Sequence, residues 1–478
     1  MTPTTLTASH QTLHCFAGRL VMVGFGCIGQ GVLPLLLRHI ELRPEQIVIL
    51  AADDAGRAVA QACGVHLVVM PLVPDNLHLA LDPLLGAGDF LLNLSVNVSS
   101  VALMAFCRER GALYLDTGIE PWAGGCVDEN LAPAMRTHHA LREAALALRG
   151  PRRDGPTAVL THGANPGLVS HFVKQALVDL AHESGGWSEV PGTRECWARL
   201  ARYLDVRAIQ LAEHDTQSCA QRKAPGEFVN TWSVKGFVDA ARQPAELGWG
   251  NHERAFPMDG VRPETGSRVS IYLQRPGAST RVRSWTPLGG ATQAFLLTHG
   301  ASISIADLLT LGPAGRPDYR PTVYGAYQPC DDAVLSLLEL AGRNWHAQPQ
   351  QRVIKSEIDR GIDELGVLVM AHGSGAYWYG SQLSAAQASA LAPHNSATSL
   401  QAAAAVMAGV VWAMKNPARD VVEPDDLPFD EILAMCRPYL GDVVGEHTHW
   451  TPLEGRGHLF DEDLDHDDPW QFKNFRVS

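Results

Sequence analysis

The segment that most constrains the fold lies near the start of the chain, where three glycines follow a short apolar run. Gly24, Gly26 and Gly29 have the spacing G-x-G-x-x-G, between a predicted strand, Leu20–Val23, and a leucine-rich predicted helix, Gln30–His39. The first glycine of such a motif permits a tight turn, the second lets the backbone approach a pyrophosphate, and the third lets helix and strand pack closely. The helix N-terminus offers free N–H groups and partial positive charge to the phosphates. The pattern predicts a dinucleotide site.

An acid after the next predicted strand indicates which dinucleotide binds. Gln46–Leu50 is predicted to be a second buried strand, and Asp53 and Asp54 follow it. A carboxylate at this strand end accepts hydrogen bonds from a ribose 2′-OH, which favours NAD over NADP. We expect Asp53 to make the contact and keep Asp54 as the alternative. A solvated loop carboxylate is the other interpretation of either residue.

Strands and helices continue to alternate after the motif, which predicts a parallel sheet covered by helices on both faces. Glu129–Arg149 is predicted to be one long helix within this part. Beyond about residue 187, strands such as Arg268–Leu273 alternate apolar and polar residues, as in a mixed sheet with one solvated face. The predicted fold class is α/β, with an N-terminal Rossmann domain, doubly wound around a parallel sheet, and a second α+β domain with a mixed sheet. The predicted bounds are 1–165 for the NAD-binding domain, 166–390 for the substrate-binding domain, and 391–478 for a C-terminal helix that returns to the Rossmann domain, plus a tail.

Composition and charge exclude several classes of protein. The chain has 478 residues, 46% of them hydrophobic, and a formal net charge of −13, which argues against a nucleic-acid partner. Nine cysteines without a C-x-x-C pair, and a polar start without a signal peptide, predict a cytoplasmic protein. No membrane partner is expected. His447 and His449 lack an acid or cysteine partner for a metal, so no metal site is predicted.

Three segments contain side chains suited to catalysis or ligand binding, and each also has a purely structural interpretation. Asn165 and Pro166 lie in a loop between a predicted strand and a helix, either against a cofactor or in a tight turn without a ligand. Glu213 belongs to a run of three titratable residues, either an acid–base or cation site or a plain surface. Trp232 is either a core residue or an aromatic face for an ammonium group, a contact that contributes about 0.5–2 kcal/mol.

Two further candidates lie near predicted strand ends. His299 ends an apolar strand, where a histidine suits proton transfer, although a lone histidine is usually structural. Asp363 is placed with Glu364 in a glycine-bounded loop before another strand.

Taken together, these segments resemble bacterial homospermidine synthases, relatives of the saccharopine dehydrogenase-like enzymes. The resemblance runs along nearly the whole chain. It rests on unusual sequence motifs, namely Gly24–Gly29, Glu120–Trp122, Thr161–His171, Gly226–Ser233, Arg283–Pro287, Arg320–Val323, Gly361–Gly366 and Ala376–Leu383.

The resemblance implies an NAD-dependent aminobutyl transfer. In this family putrescine loses a hydride to NAD⁺ and becomes an imine. The amine of a second putrescine attacks the imine carbon, and ammonia leaves. The hydride then returns to give sym-homospermidine. Spermidine also serves as donor, with release of 1,3-diaminopropane. The resemblance further implies a homodimer, with residues 166–390 as the substrate-binding and dimerisation domain. It assigns the catalytic pocket to Glu213, Trp232, His299, Asp363, Asn165 and Glu120, and the NAD site to Gly24, Gly26, Cys27, Ile28, Gly29, Asp53, Ser95, Thr117, Asn165 and Pro166.

The sequence departs from the family at three positions. Acids are the family pattern where this chain has Lys235, Ala240 and Ala301. A lysine beside a site for a dication is electrostatically unfavourable unless it points away. These positions leave diamine length and donor preference open.

Two other functions remain as alternatives. A saccharopine- or carboxynorspermidine-type dehydrogenase couples an amine to a semialdehyde and needs a basic anchor for a carboxylate, for which Lys235, Arg281 and Arg283 are available. The second alternative is an NAD-responsive binding protein without catalysis.

Overall fold

Strands and helices alternate through the first third of the chain. The computed structural model describes residues 11–477 except residues 188, 314 and 374. The first elements are β1 (His14–Cys15), β2 (Leu20–Val23), α1 (Cys27–His39), β3 (Ile40–Glu41), β4 (Ile47–Ala51), α2 (Arg57–Ala62), β5 (His66–Val69), α3 (Leu77–Leu81), β6 (Phe90–Asn93), α4 (Ser100–Arg110), β7 (Leu113–Asp116), α5 (His138–Leu146) and β8 (Ala158–Val159).

Longer strands dominate the middle of the chain. Its elements are α6 (Leu168–Ser184), α7 (Arg194–Tyr203), β9 (Val206–Asp215), β10 (Glu227–Asn230), α8 (Val234–Arg242), β11 (Pro244–Gly248), β12 (Gly260–Val261), β13 (Ser270–Pro276), β14 (Arg281–Thr286), β15 (Gly290–Phe295), α9 (Gly300–Leu308), β16 (Thr322–Gln328), α10 (Asp331–Gly342), β17 (Gln350–Val353), β18 (Ile362–Ala371), β19 (Gly375–Ser384) and α11 (Ala385–Leu391). The last elements are α12 (Ala397–Lys415), β20 (Val421–Val422), α13 (Phe429–Cys436), β21 (Asp442–Thr448), α14 (Phe472–Phe475) and β22 (Arg476–Val477).

The first sheet is the predicted Rossmann sheet, which is confirmed. Seven strands of the described chain pair in the order β20-β8-β7-β6-β2-β4-β5, and all their pairings are parallel. The chain runs outward from β2 through β4 and β5, then returns to the other side of β2 at β6. Ligands of such sheets bind at the strand carboxyl ends where the order reverses. The glycine motif follows β2 and therefore lies at this point.

The second sheet is mixed, as predicted. Eleven strands of the described residues form it, with the central order β12-β13-β11-β16-β9-β18-β19-β21. The strand β9 pairs in parallel with β16 on one side and antiparallel with β18 on the other. A buried position on β9 therefore has neighbours from two strands, and the register fixes which side chains meet on each face.

One buried helix packs against both sheets. α12 contacts α1 and β7 of the nucleotide-binding part and also β18 and β19 of the large sheet. It is the one helix in the described chain that is long and apolar enough to cross a membrane, but 94% of its most apolar window is buried inside the protein. A helix that is apolar on every side is expected in such an interior position. After α12 the chain divides between the sheets, since β20 pairs with β8 whereas β21 and β22 pair with β19 and β14.

The single helix predicted over Glu129–Arg149 is wrong. A short 3₁₀ turn, Pro133–Arg136, precedes α5, which begins at His138. Thr137 interrupts the helix because its hydroxyl accepts the Ala140 N–H at 3.1 Å and caps α5. Pro133 lacks an N–H for a continuous helix.

Replacing Gly409 by valine is expected to lower the free energy of unfolding by about 1–3 kcal/mol, because it overpacks the core. A Cβ atom at this position of α12 would lie 2.7 Å from Leu115 Cδ1 and 2.8 Å from His162 Nδ1. Urea denaturation measures the loss. Gly342, the exposed last residue of α10, has nothing within 4 Å of its Cβ position, so Gly342→Val is the control with little expected change. Equal stabilities of the two variants would contradict this packing.

Candidate active site

The glycine motif forms a turn with open space beside its second glycine. Gly24 has φ +88°, and a Cβ there would lie 2.6 Å from the backbone nitrogen of Ser95. A Cβ on Gly29 would lie 3.1 Å from the carbonyl oxygen of Gly24, so strand and helix pack closely. At Gly26 no atom lies within 4 Å of the Cβ position. Because α1 begins at Cys27, its free N–H groups lie beside this space, and the loop fits a dinucleotide phosphate.

Asp53 lies two residues beyond the end of β4 and is exposed. Its Oδ1 accepts the Ala55 N–H at 3.0 Å, which fixes the turn. Asp54 instead lies 3.8 Å from Nε of Arg57, in an exposed ion pair. Asp53 therefore fits a ribose hydroxyl, and its negative charge would repel a 2′-phosphate.

The loop between β8 and α6 is anchored to the end of β7. The carboxyl of Asp116 accepts the Thr161 N–H at 2.5 Å, and its carbonyl accepts the His162 N–H at 2.7 Å. A Cβ on Gly163 would lie 3.4 Å from the Cβ of Thr117, so the loop packs on the strand end. The amide of Asn165 is buried without a hydrogen bond of normal geometry, although it lies close enough to Glu213 to lower the pKa of that carboxyl in part.

Three carboxyl groups share one buried face of the large sheet. Asp215 lies directly opposite Asp363 in the pairing of β9 with β18, and Glu213 is two residues before Asp215 on β9. Side chains two apart on a strand, and those directly opposite on its neighbour, point to the same face. This acid cluster, Glu213, Asp215 and Asp363, has relative exposures of 8%, 2% and 0%.

The structure corrects two expectations about these residues. Asp363 lies inside β18 rather than in a loop, because its strand pairs with β9 along its whole length. The run from Glu213 to Asp215 is part of β9 and not a surface segment. The alternation sends His214 to the opposite face, where its Nδ1 lies 3.6 Å from Glu364.

Burial raises the pKa of all three carboxyl groups of the acid cluster. Burial and the charge of Asp215 raise the pKa of Glu213 to about 8. Burial and the other two acids raise the pKa of Asp363 well above its ordinary value, and burial also raises that of Asp215. Neither carboxyl oxygen of Asp363 has a hydrogen bond of normal geometry among the described residues, although the Thr398 side chain lowers its pKa in part.

The start of α12 partly compensates the cluster. Asp215 accepts hydrogen bonds from Thr231 Oγ1 at 2.7 Å and from the Gln217 side chain at 3.0 Å. The Ala397 N–H, in the first turn of α12, donates to Gln217 Oε1 at 2.8 Å. The positive end of this long helix is therefore connected to Asp215 through Gln217.

Aromatic side chains adjoin the cluster. Tyr327 on β16 lies directly opposite Glu213 and has its pKa raised by burial and by all three acids. The indole N–H of Trp232 donates to the Tyr327 hydroxyl at 3.2 Å, and the Trp232 ring lies 5.1 Å from that of Phe237. Trp232 is half-buried, so part of the ring remains available to a ligand.

His299 belongs to the same face, although not as a strand end. The strand β15 stops at Phe295, and His299 caps the N-terminus of α9. A Cβ on Gly325 would lie 3.2 Å from the ring of His299, and Gly325 is two residues before Tyr327 on β16. Burial and nearby His138 lower the pKa of His299 to about 3, so its imidazole is neutral and does not repel an ammonium group.

Glu120 forms a second acid group beside α8. Its carboxyl accepts the Asn97 N–H at 3.3 Å, and burial together with the charge of Asp239 raises its pKa to about 8. Lys235, which is exposed, opposes this shift through its positive charge. α8 begins at Val234, two residues after Trp232, so Trp232 adjoins the helix that contains Lys235 and Asp239.

Comparison with known proteins identifies the family. The saccharopine dehydrogenase NADP binding domain matches residues 20–159, and the saccharopine dehydrogenase C-terminal domain matches residues 163–448. A homospermidine synthase of Blastochloris viridis is 51% identical over 97% of this chain and 98% of its own, and one of Mesorhizobium japonicum is 46% identical over 96% of both. A crystal structure of a homospermidine synthase from Legionella pneumophila in complex with NAD has a TM-score of 0.90 and 44% identity, over 97% of this chain and 98% of that one.

The chain belongs to the homospermidine synthases. The structure shows where two of the positions lie at which the resemblance implies an acid and this chain has alanine. Ala240 is half-buried on α8, and Ala301 is buried in the first turn of α9. The acid of α8 in this chain is Asp239, one residue before Ala240, and its carboxyl lies close enough to the Asn97 side chain to lower the pKa of Asp239 in part.

Sequence reasoning missed three residues of this site. Asp215 was detectable, because it follows Glu213 by two positions and strand alternation places both on one face. Asp239 was detectable by its helical spacing of four from Lys235. Tyr327 gives no local signal, because its position opposite Glu213 depends on the register between β9 and β16.

Replacing Glu213 by glutamine is expected to reduce the pH dependence of stability. The folded-state pKa of about 8 exceeds the ordinary value of 4.5, so the neutral buried carboxyl stabilises the fold fully below pH 4.5 and loses this contribution as the pH rises through 8. Glutamine cannot ionise. The fall in unfolding free energy between about pH 5 and pH 9, measured with urea, should therefore be smaller in Glu213→Gln by more than about 1 kcal/mol.

Glu446 on β21 is exposed and provides the matched control, with Glu446→Gln expected to keep the wild-type pH profile. A wild-type profile in Glu213→Gln would show that Glu213 ionises normally.

Proposed function

We propose that this chain transfers an aminobutyl group from putrescine or spermidine to putrescine and forms sym-homospermidine. Ammonia, or 1,3-diaminopropane from spermidine, leaves in exchange. The observation that best supports this is the buried acid cluster of Glu213, Asp215 and Asp363, with Trp232 and Tyr327 beside it. A cluster of acids that forms no ion pair among the described residues suits an alkyl ammonium ion rather than a carboxylate.

The site also fits NAD as the cofactor. The open space beside Gly26, the start of α1 and the exposed carboxyl of Asp53 fit its pyrophosphate and ribose. Cys27 and Ile28 lie in the first turn of α1, whereas Ser95, Thr117 and Pro166 lie in the loops that follow β6, β7 and β8. NAD, when bound, accepts a hydride from the carbon next to the amine and later returns it. The amide of Asn165, which lies close to Glu213 and has no hydrogen bond of normal geometry among the described residues, would supply a donor and an acceptor to this site.

The acids hold the diamine and move its protons. An ammonium group that enters the cluster favours ionised carboxyls, so the raised pKa of Glu213 falls and a proton leaves. The ionised carboxylate then accepts the proton that the amine must lose before its carbon is oxidised. Glu120 and Asp239 provide charge for another ammonium group.

His299 and Trp232 shape the same pocket. The neutral imidazole of His299 accepts hydrogen bonds from amines without repelling them. The Trp232 indole, fixed by its bond to Tyr327, offers an aromatic face to the ammonium group. We place the protein in the cytoplasm as a homodimer, and the eight cysteines whose side chains are described are free thiols, as a reducing compartment requires.

Incubation with NAD⁺ and putrescine that carries deuterium on both nitrogen-bearing carbons tests the reaction. We expect homospermidine that retains all of its deuterium, even with excess unlabelled NADH in solution, together with ammonia and no net NADH. Mass spectrometry and absorbance measure these quantities. Net NADH formation or consumption would indicate a saccharopine- or carboxynorspermidine-type dehydrogenase, and NAD binding without any amine binding would indicate a non-catalytic protein.

Replacing Trp232 by alanine should lower kcat/KM for putrescine by about 3- to 30-fold, the equivalent of one cation–π contact. The Kd for NAD should change less than about twofold, because the indole ring of Trp232 lies against Tyr327 and Phe237. Trp232→Phe keeps an aromatic face without the N–H, so it should retain more activity than Trp232→Ala. Wild-type turnover in Trp232→Ala would remove this residue from the mechanism.

A further inference from the structure

A lysine of the second part of the chain reaches the glycine motif. Lys355 follows β17, and its Nζ donates to Oε1 of Gln30 at 3.2 Å. Gln30 is in the first turn of α1, and its Nε2 donates to the carbonyl oxygen of Phe25, within the motif, at 3.0 Å. The ammonium group is therefore tethered beside the turn that the sequence predicts to hold a pyrophosphate.

The ammonium of Lys355 lacks an anionic partner. The ion pairs of the described lysines join Lys223, Lys415 and Lys473 to acids, and none of them involves Lys355. The first turn of α1 contains no acidic residue. A cation near the positive end of a helix is unfavourable, so the position of Lys355 costs free energy unless an anion binds there.

Space for that anion lies in the same turn. The Cβ position of Gly26 has no atom within 4 Å, and Cys27, the next residue, lies close enough to Lys355 for its charge to lower the pKa of the thiol in part. The Cys27 thiol also lies beside the backbone N–H of Ser233, which follows Trp232. The substrate-binding part of the chain thus meets the glycine motif at two places.

We infer that Lys355 binds the pyrophosphate of the dinucleotide and so joins the substrate-binding part of the chain to the bound cofactor. This inference rests on the proposed NAD site. The pyrophosphate would then lie between two positive groups, the ammonium of Lys355 and the N-terminus of α1. Cofactor binding would thereby fix the loop that follows β17 against α1.

Binding of ADP-ribose to Lys355→Met, measured by calorimetry, tests this contact without any catalysis. ADP-ribose contains the pyrophosphate but no nicotinamide. Loss of one charge-assisted hydrogen bond should raise its Kd by about 10- to 100-fold. Lys355→Arg should restore most of the affinity, and the affinity for ADP-ribose should depend less on salt in Lys355→Met than in the wild type.

The melting temperature of the ligand-free protein separates this role from a structural one. We expect Lys355→Met to melt at the wild-type temperature or higher, because it removes a cation from the positive end of α1, and to show a smaller shift on addition of ADP-ribose. Lys415 is the last residue of α12, and Lys415→Met changes the net charge by the same amount. This control variant should bind ADP-ribose as the wild type does.

Two outcomes would overturn the inference. If Lys355→Met lowers the melting temperature and leaves the ADP-ribose affinity unchanged, the hydrogen bond from Lys355 to Gln30 only stabilises the fold. Equal affinity in all variants would place Lys355 away from the phosphates. If ADP-ribose and NAD fail to bind even the wild-type protein, the proposed function fails first.

Discussion

The burial of three carboxyl groups on one face of the large sheet sets the conditions for the rest of the site. Glu213 and Asp215 on β9 and Asp363 on β18 are brought together by strand register, and none of the three forms an ion pair among the described residues. The ion pair beside them joins His214 to Glu364 on the opposite face of the sheet. Such a cluster of buried acids is stable only if the acids remain protonated or an external cation joins them. The hydrogen bonds from Thr231 and Gln217, and the N-terminus of α12, lower the cost without supplying a full charge.

The second constraint is that acids and cofactor must meet. α12 fixes the two sheets against each other, since it packs on α1 and β7 as well as on β18 and β19. The loop after β8 then brings Asn165 from the nucleotide-binding side to Glu213. From the other side, Lys355 and Ser233 reach the start of α1. A hydride exchange requires that the nicotinamide of a cofactor held at the glycine motif reach a diamine bound at the acids, and these contacts bring the two parts of the chain together for it.

The sequence predicted the nucleotide-binding part well because its signals are local. The glycine spacing, the apolar strands and the acid after β4 are each contained in a few residues. The substrate side was less predictable, because its geometry comes from pairing between distant strands. Asp363 was assigned to a loop on the basis of its flanking glycines, and only the pairing with β9 places it in a strand. The prediction of one long helix from Glu129 is wrong because Thr137 caps a shorter helix that begins at His138. Resemblance to the family supplied the roles of Glu120, His299 and Trp232, whereas it gave no indication of Asp239 or Lys355.

The most direct test of the central claim is the number of protons released when putrescine binds. Calorimetry in buffers of different ionisation enthalpy measures it at pH 7, with ADP-ribose in the cofactor site so that no hydride transfer follows. If a diammonium ion enters a protonated acid cluster, protons are released on binding, and fewer are released in Glu213→Gln. Binding of putrescine without proton release, or with proton uptake, would contradict the claim that Glu213, Asp215 and Asp363 receive the substrate.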